Sequence, residues 1–129
     1  MATYTNSIKV GRISSNVERG LKITLVSNPS VYLNEEFLNL LARKRPNSYP
    51  NDIEEISKLI KKPNFVFYLK ENKEVVYAKT YILDHIPYFL LLYVNRQGKP
   101  KKWCAKTLSF TPLFNCTYLL DNYDCIRVS

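Results

Sequence analysis

The pattern of apolar and polar positions changes its period near Pro63. Upstream of this proline, the segment 51–62 carries an apolar stripe at the three- and four-residue spacing of an amphipathic helix, formed by Ile53, Ile56, Leu59 and Ile60. Asn51 and Glu54 are spaced as in a capping box. The sequence therefore predicts a helix that begins at Asn51 and ends before Pro63.

A shorter helix is predicted before this one. Asn34 is a candidate N-cap, and the two glutamates that follow it suit the positive end of the helix dipole. The helix should end at about Arg45, because Pro46 disfavours a helical conformation in the residue before it. Two short strands, Leu21–Val26 and Val31–Leu33, are expected upstream.

After Pro63 the apolar residues follow a period of two, which is typical of strands. Four strands are predicted: Phe65–Lys70, Val75–Ile82, Tyr88–Val94 and Trp103–Phe110. Short connections between them favour antiparallel neighbours. The predicted fold class is α+β, with two N-terminal helices packed on one face of a four-stranded antiparallel meander sheet. We expect a single domain of residues 1–129 with its core in residues 31–111, and the last nineteen residues suit either a helix or a strand.

Alternation along the strands divides the side chains between two faces. The apolar set that includes Val76 and Ala78 should meet the helices. The opposite face would then carry six residues: Tyr77, Lys79, Tyr81, Trp103, Thr107 and Ser109. Aromatic rings that stack on bases, next to cations that neutralise phosphates, are typical of a nucleic-acid platform. The alternative is an ordinary solvated face, rich in tyrosine and threonine because both favour strands.

The charge of the chain favours an anionic partner. Nineteen Lys and Arg against eleven Asp and Glu give a net charge of +8. The segment Asn95–Phe110 contains five basic residues and no acid, and the first helix ends in basic residues that would equally suit the helix dipole. The predicted RNA-binding residues are Arg43, Lys44, Arg96, Lys99, Lys101, Lys102, Trp103, Lys106 and Ser109.

Other features exclude several classes of protein. The three cysteines are an odd number without CxxC spacing, and there is one histidine, so neither a zinc site nor a disulfide framework is expected, and no cofactor motif is present. The longest apolar run, Tyr88–Val94, has seven residues, whereas a membrane span needs about twenty. With no secretory signal pattern at the N-terminus, we expect a cytoplasmic protein without a membrane partner.

Four segments of residues 31–111 share an order of elements with a known family: LARKRPNSYPNDIEEISKLIKKPNFVFYL, VVYAKTYI, YFLLLYVN and KWCAKTLSFT. In this order the chain resembles the phage-associated branch of the barnase–EndoU–colicin–RelE superfamily of small metal-independent ribonucleases. The resemblance implies an endoribonuclease, toxin-like and carried by a phage or mobile element. A toxin of this kind would be paired with an acidic inhibitor or antitoxin protein, since complementary charge speeds its capture.

The resemblance also suggests where catalysis would take place. Lys79 matches the basic residue of the family's second strand, and Thr107 matches its last-strand hydroxyl. Where the family has His-Pro, this chain has Arg45-Pro46, and its single histidine is His85. The predicted catalytic residues, with Tyr77 as a further proton carrier, are Lys79, Arg45, Thr107, Tyr77 and His85. Whether the chain cleaves RNA stays open at this point, and the alternatives are a non-catalytic nucleic-acid-binding module or a protein-interaction domain.

Overall fold

The computed structural model describes residues 8–21, 29–44, 49–97, 102–122 and 124–127. Within these ranges the strands are β1 (Ile8–Arg12), β2 (Ser30–Leu33), β3 (Phe65–Leu69), β4 (Glu74–Leu83), β5 (Ile86–Gln97), β6 (Lys102–Pro112) and β7 (Asp124–Arg127). The helices are α1 (Ser15–Leu21), α2 (Glu35–Lys44), α3 (Tyr49–Lys61) and α4 (Thr117–Asn122), and a 3-10 turn, Leu113–Asn115, precedes α4.

The strands form one mixed sheet in the order β1-β2-β6-β5-β4-β3-β7. Every neighbouring pair is antiparallel except β2 and β6, which are parallel. The fold is α+β, but the predicted four-stranded antiparallel meander with two N-terminal helices is wrong. The period-two segments between Phe65 and Pro112 supply the four strands β3–β6, and the sheet extends beyond them because short strands from both ends of the chain pair with its edges.

Helices cover the sheet on both faces, not on one. On what we call the first face, α1, α2 and α3 pack against the side chains of Val75, Tyr77, Leu90 and Leu92. On the second face, Cys116 and Leu119 pack against the alternate residues of the same strands, including Val76, Ala78, Phe89 and Leu91. The centre of β4 is therefore buried on both sides, and its alternation does not distinguish a covered face from an open one.

The predicted helix starts differ in outcome. The backbone N–H of Phe37 donates to the Asn34 side-chain oxygen at 2.9 Å, so Asn34 is the N-cap of α2 as predicted. The start predicted for α3 is wrong, because that helix begins at Tyr49, two positions before Asn51. Its apolar stripe does face the core, and Ile56 and Leu59 are fully buried. Of the strand predicted at 21–26, Leu21 ends α1 and the other positions lie outside the described residues.

A bulge in β6 changes which face its side chains occupy. Thr107 pairs with Tyr93 and Ala105 with Val94, so Lys106 is an extra residue without a partner in the ladder. As a result Trp103 and Ala105 belong to the first face, which also holds Leu108, whereas Thr107 and Ser109 belong to the second. The predicted exposed platform is wrong for two of its aromatic residues: Tyr77 is 1% exposed and Trp103 is 8% exposed.

Candidate nucleic-acid interface

The described residues cover the second face on only one half. Its core cluster draws residues from β3, β4 and β5 and from the segment around α4, and none from β1, β2 or β6 among the residues that the structure describes. On the remaining half, cross-strand pairing aligns four residues in one row: Lys9 with Tyr32, Tyr32 with Cys104, and Cys104 with Asn95. Paired residues share a face, so this row forms a continuous surface, which we call the open half-face.

Tyr32 provides the aromatic ring of the open half-face. Val31 and Leu33, on either side of it, are fully buried in the first-face core, so alternation directs Tyr32 to the second face, where it is half-buried. The ammonium of Lys102 lies 5.2 Å from the centre of its ring, within cation–π range. Burial raises the pKa of the Cys104 thiol beside it, and the charge of Lys102 opposes that rise.

A polar pocket adjoins this surface between α2 and the neighbouring parts of β5 and β6. Its volume is about 450 Å³, and we call it the α2 pocket; its lining residues are Asn34, Glu36, Phe37, Leu40, Arg43, Asn95, Gln97, Ala105 and Lys106. Three amide side chains connect it to the open half-face. Asn34 donates to Gln97 at 3.0 Å, and Gln97 donates to Asn95 at 2.7 Å. These contacts fix the orientation of the amides that face the pocket.

The cations around the pocket are not equivalent. Lys106 donates to the carboxylate of Glu74 at 2.7 Å, and the Glu74 side chain is 4% exposed. This ammonium is therefore largely neutralised by a buried acid. Lys9, Arg43 and Lys102 are exposed and make no ion pair within the part of the chain that the structure describes. Within the described ranges, these three are the charges that this surface offers to an anion.

The predicted RNA-binding residues are dispersed. Arg43 and Lys44 are exposed at the end of α2, and Arg96 is exposed on β5 but pairs with Trp103 and so shares the first face. Lys102 and Lys106 lie at the open half-face and the α2 pocket. Trp103 is buried, and the Ser109 hydroxyl is 2.9 Å from that of Thr111. Lys99 and Lys101 lie outside the described residues.

The predicted catalytic residues are not brought together. Lys79 pairs with Leu90 and belongs to the first face, whereas Thr107 is exposed on the second. Lys79 is also far from the open half-face. Its partner Leu90 lies five residues before Asn95 on β5, which is about 17 Å at roughly 3.4 Å per residue. His85 is exposed in the two-residue turn between β4 and β5, with a φ of 67°. Arg45 lies outside the described residues.

Tyr77 is the most enclosed of the predicted set. Its hydroxyl is buried and has no hydrogen-bond partner among the described residues. Burial raises the pKa of this phenol well above its usual value of 10. The side chain lies in the first-face core, where it cannot contact RNA without unfolding of the packing around it.

A small polar cluster does surround Lys79. Its ammonium lies 5.9 Å from the centre of the Tyr81 ring, and the Tyr81 hydroxyl donates to a carboxylate oxygen of Glu55 at 3.0 Å. Burial and the contact with Glu55 raise the pKa of Tyr81. A cavity of about 240 Å³ opens here, lined by Asp52, Glu55, Tyr81, Leu90, Leu108 and Phe110. A carboxylate, a phenol and an ammonium are thus close together at this position.

Sequence reasoning missed most of the residues of the open half-face and of the polar side of the α2 pocket. Lys9, Tyr32, Asn34, Asn95 and Gln97 were not selected as binding residues. The Val31–Leu33 strand was expected, and the single aromatic residue between two aliphatic ones was a usable signal. No local pattern indicates that this strand pairs in parallel with β6, because the two strands are about seventy residues apart in sequence.

Two further findings concern the described residues as a whole. No group of three or more His, Cys, Asp or Glu side chains among them is arranged to hold a metal ion. None of the helices found in those ranges is both long enough and apolar enough to cross a bilayer. Comparisons with protein-family models, with curated proteins and with solved structures found no match to this chain.

Proposed function

We propose that the protein is a non-catalytic module that binds single-stranded RNA through the open half-face and the α2 pocket. The observation that carries the proposal is the row formed by Lys9 and Tyr32, with the Lys102 ammonium 5.2 Å from the Tyr32 ring. An aromatic ring next to cations is an arrangement that binds an unpaired base and its phosphates together.

Each part of the surface has a chemical role in this proposal. Tyr32 stacks on a base, while Lys9, Lys102 and Arg43 neutralise phosphates. The amides of Asn95 and Gln97 offer donors and acceptors to a base edge or a ribose hydroxyl. Because RNA is recognised mainly through unstacked bases in single-stranded segments, a short open surface of this kind suits a single strand better than a duplex.

Fluorescence anisotropy with a labelled single-stranded RNA tests this proposal. Replacing Tyr32 by alanine should weaken binding at least fivefold, because stacking contributes about 1–3 kcal/mol per base, whereas phenylalanine should retain most of the affinity. With three free cations, the logarithm of the binding constant should fall with the logarithm of salt concentration with a slope of about −2. Lys102→Gln should reduce that slope by about 0.7, and Lys62→Gln, an exposed lysine outside the surface, should not. Equal affinity for the alanine and phenylalanine variants would refute the role of Tyr32.

A second candidate function is RNA cleavage at the Lys79 cluster. The contact between Tyr81 and Glu55, next to the Lys79 ammonium, is the observation that favours it. Metal-independent cleavage needs a group that takes the proton of the 2′-hydroxyl and a cation for the developing phosphorane charge, and Glu55 and Lys79 have these chemistries. If the protein acts as a ribonuclease toxin, an acidic inhibitor that covers its basic surface is the partner we propose.

Incubation with single-stranded RNA in EDTA separates the two candidates. Cleavage by the parent protein that is lost in both Lys79→Ala and Glu55→Gln would establish the second function. Intact RNA whose binding depends on Tyr32 would establish the first. Cleavage that survives both substitutions would exclude the Lys79 cluster as its source.

A further inference from the structure

A second cavity, separate from the proposed RNA surface, lies between β1, α1 and α3. Its volume is about 350 Å³, within the size range of small-molecule sites. We call it the β1 cavity; its lining residues are Val10, Gly11, Arg12, Ser14, Val17, Ser57, Ile60, Lys61 and Pro63. Most of this lining is apolar, and three different elements contribute to it.

The two serines of the cavity wall already form hydrogen bonds within the protein. The Ser57 hydroxyl donates to the backbone carbonyl of Val10 at 2.8 Å. The backbone N–H of Val17 donates to the Ser14 hydroxyl oxygen at 3.2 Å, which caps the start of α1. The Ser57 O–H donor and an acceptor position of the Ser14 hydroxyl are therefore engaged within the protein, and the inner wall acts mainly as an apolar surface formed by Val10, Val17 and Ile60.

Gly11 brings β1 close to α3 at this cavity. A Cβ atom at Gly11 would lie 2.8 Å from Cγ2 of Ile60, closer than two carbon atoms can approach. Any larger residue would therefore push the strand away from the helix or occupy the space between them. Because Gly11 has no side chain, β1 lies close to α3 and no side-chain atoms of residue 11 fill the space between them.

Two cations stand at the opening of the cavity. Arg12 and Lys61 are both exposed, and neither is in an ion pair with another residue of the described ranges. No Asp or Glu is among the described residues that line the cavity. An apolar interior with two free cations at its opening matches a ligand with an apolar body and one anionic head.

We infer that the β1 cavity is a binding site for a small anionic amphiphile, a monocarboxylate with a short aliphatic or aromatic body. The body lies against Val10, Val17 and Ile60, and the carboxylate lies between Arg12 and Lys61. Arg12 can hold a carboxylate with two parallel hydrogen bonds, and Lys61 adds a point charge. Neither residue belongs to the proposed RNA surface, so this site goes beyond the proposed function and does not depend on it.

Titration of the full chain with octanoate, followed by NMR, tests the inference. We expect octanoate to shift the methyl resonances of Val17 and Ile60, and octylamine, with the same body and the opposite charge, to leave them unchanged. Arg12→Gln and Lys61→Gln should each weaken octanoate binding about tenfold, which equals about 1.4 kcal/mol, because each removes a charge-assisted hydrogen bond to the carboxylate. Lys62→Gln is the matched control, since Lys62 is the exposed neighbour of Lys61 and does not line the cavity. Its affinity for octanoate should change less than twofold.

Three results would overturn the inference. The first is the absence of any shift of the Val17 and Ile60 methyl resonances with octanoate at millimolar concentration. The second is the same shifts with octylamine as with octanoate, which would show an apolar cavity without charge recognition. The third is octanoate binding by the Arg12 and Lys61 variants that is as tight as binding by the Lys62 variant, which would place the carboxylate elsewhere.

Discussion

Replacing Lys106 by methionine should destabilise the fold much more than replacing Glu74 by glutamine. The two side chains form one ion pair with an N–O distance of 2.7 Å, but their surroundings differ. The Glu74 side chain is 4% exposed, whereas that of Lys106 is 53% exposed. If Glu74 loses its charge, Lys106 regains water at little cost; if Lys106 is removed, the carboxylate remains buried without a partner.

The size of this asymmetry follows from burial. Breaking a fully buried ion pair by removing one partner costs about 3–5 kcal/mol. Since water reaches the Lys106 side of this pair, we expect Lys106→Met to cost about 2–3 kcal/mol and Glu74→Gln about 1 kcal/mol or less, because the amide can still accept a hydrogen bond from Lys106. For a domain of this size, 1 kcal/mol corresponds to a melting-temperature shift of about 4 °C, so the two variants should differ by roughly 4–8 °C.

Thermal and urea denaturation, followed by circular dichroism, measure this difference. The double variant with Met at 106 and Gln at 74 should be more stable than Lys106→Met alone, since it removes the buried charge as well as its partner. The reasoning would be refuted by equal costs for the two single variants, or by a double variant whose cost equals their sum.

Three further predictions concern buried groups. Tyr77→Phe should stabilise the fold by about 1–2 kcal/mol, because it removes a buried hydroxyl that has no partner in the described part of the chain; a lower melting temperature would contradict this. Gly11→Ala should destabilise it by about 1–3 kcal/mol, through the contact with Ile60 at 2.8 Å, and denaturant titration measures the loss. Burial raises the pKa of Tyr77, Tyr81 and Tyr93, so the folded state retains protons that the unfolded chain releases near pH 10. Stability should therefore fall as the pH rises above 10, with the deeply buried Tyr77 contributing up to about 1.4 kcal/mol per pH unit; a flat profile from pH 10 to 11 would exclude this.

The parts of the fold that depend on local pattern were predictable. The stripe of α3, the cap at Asn34 and the existence of β3–β6 all rest on residues close together in sequence, where period and capping chemistry operate. The short strands β1 and β7 have five and four residues, too few to show a period. Their positions at the sheet edges depend on pairing with distant strands, which local pattern does not encode.

The assignment of faces failed for a different physical reason. Alternation indicates which side chains share a face, but a sheet that is covered on both sides has no polar face to serve as a reference. Val75 and Val76 are both fully buried, one in each core cluster. The alternation therefore assigns Tyr77 to solvent together with Lys79 and Tyr81, which share its side of the strand, although Tyr77 lies against the helices.

The residue types of the candidate surface could be predicted from the sequence, but the positions that supply them could not. A basic and aromatic sheet surface was expected, and the open half-face is such a surface, but its ring is Tyr32 and its lysines are Lys9 and Lys102. Of these three, Lys102 alone was selected from the sequence. The other two lie on strands whose neighbours are set by the parallel pairing of β2 with β6, so their proximity is a property of the tertiary fold.

The basic segment is not one surface, because strand alternation and the bulge at Lys106 both divide its side chains between two faces. A strict period of two would place Trp103, Ala105, Thr107 and Ser109 on one face. The extra residue, Lys106, moves the residues after it to the opposite face, so Thr107 and Ser109 lie on the second face. Beyond the bulge, ordinary alternation already places Arg96 on the first face with its partner Trp103, and Lys102 on the second face with Tyr32. The charge of Asn95–Phe110 is thus divided between two faces, and Lys106, at the division, is held by the buried carboxylate of Glu74. Counting the lysines of this segment therefore overestimates the charge that one ligand can contact.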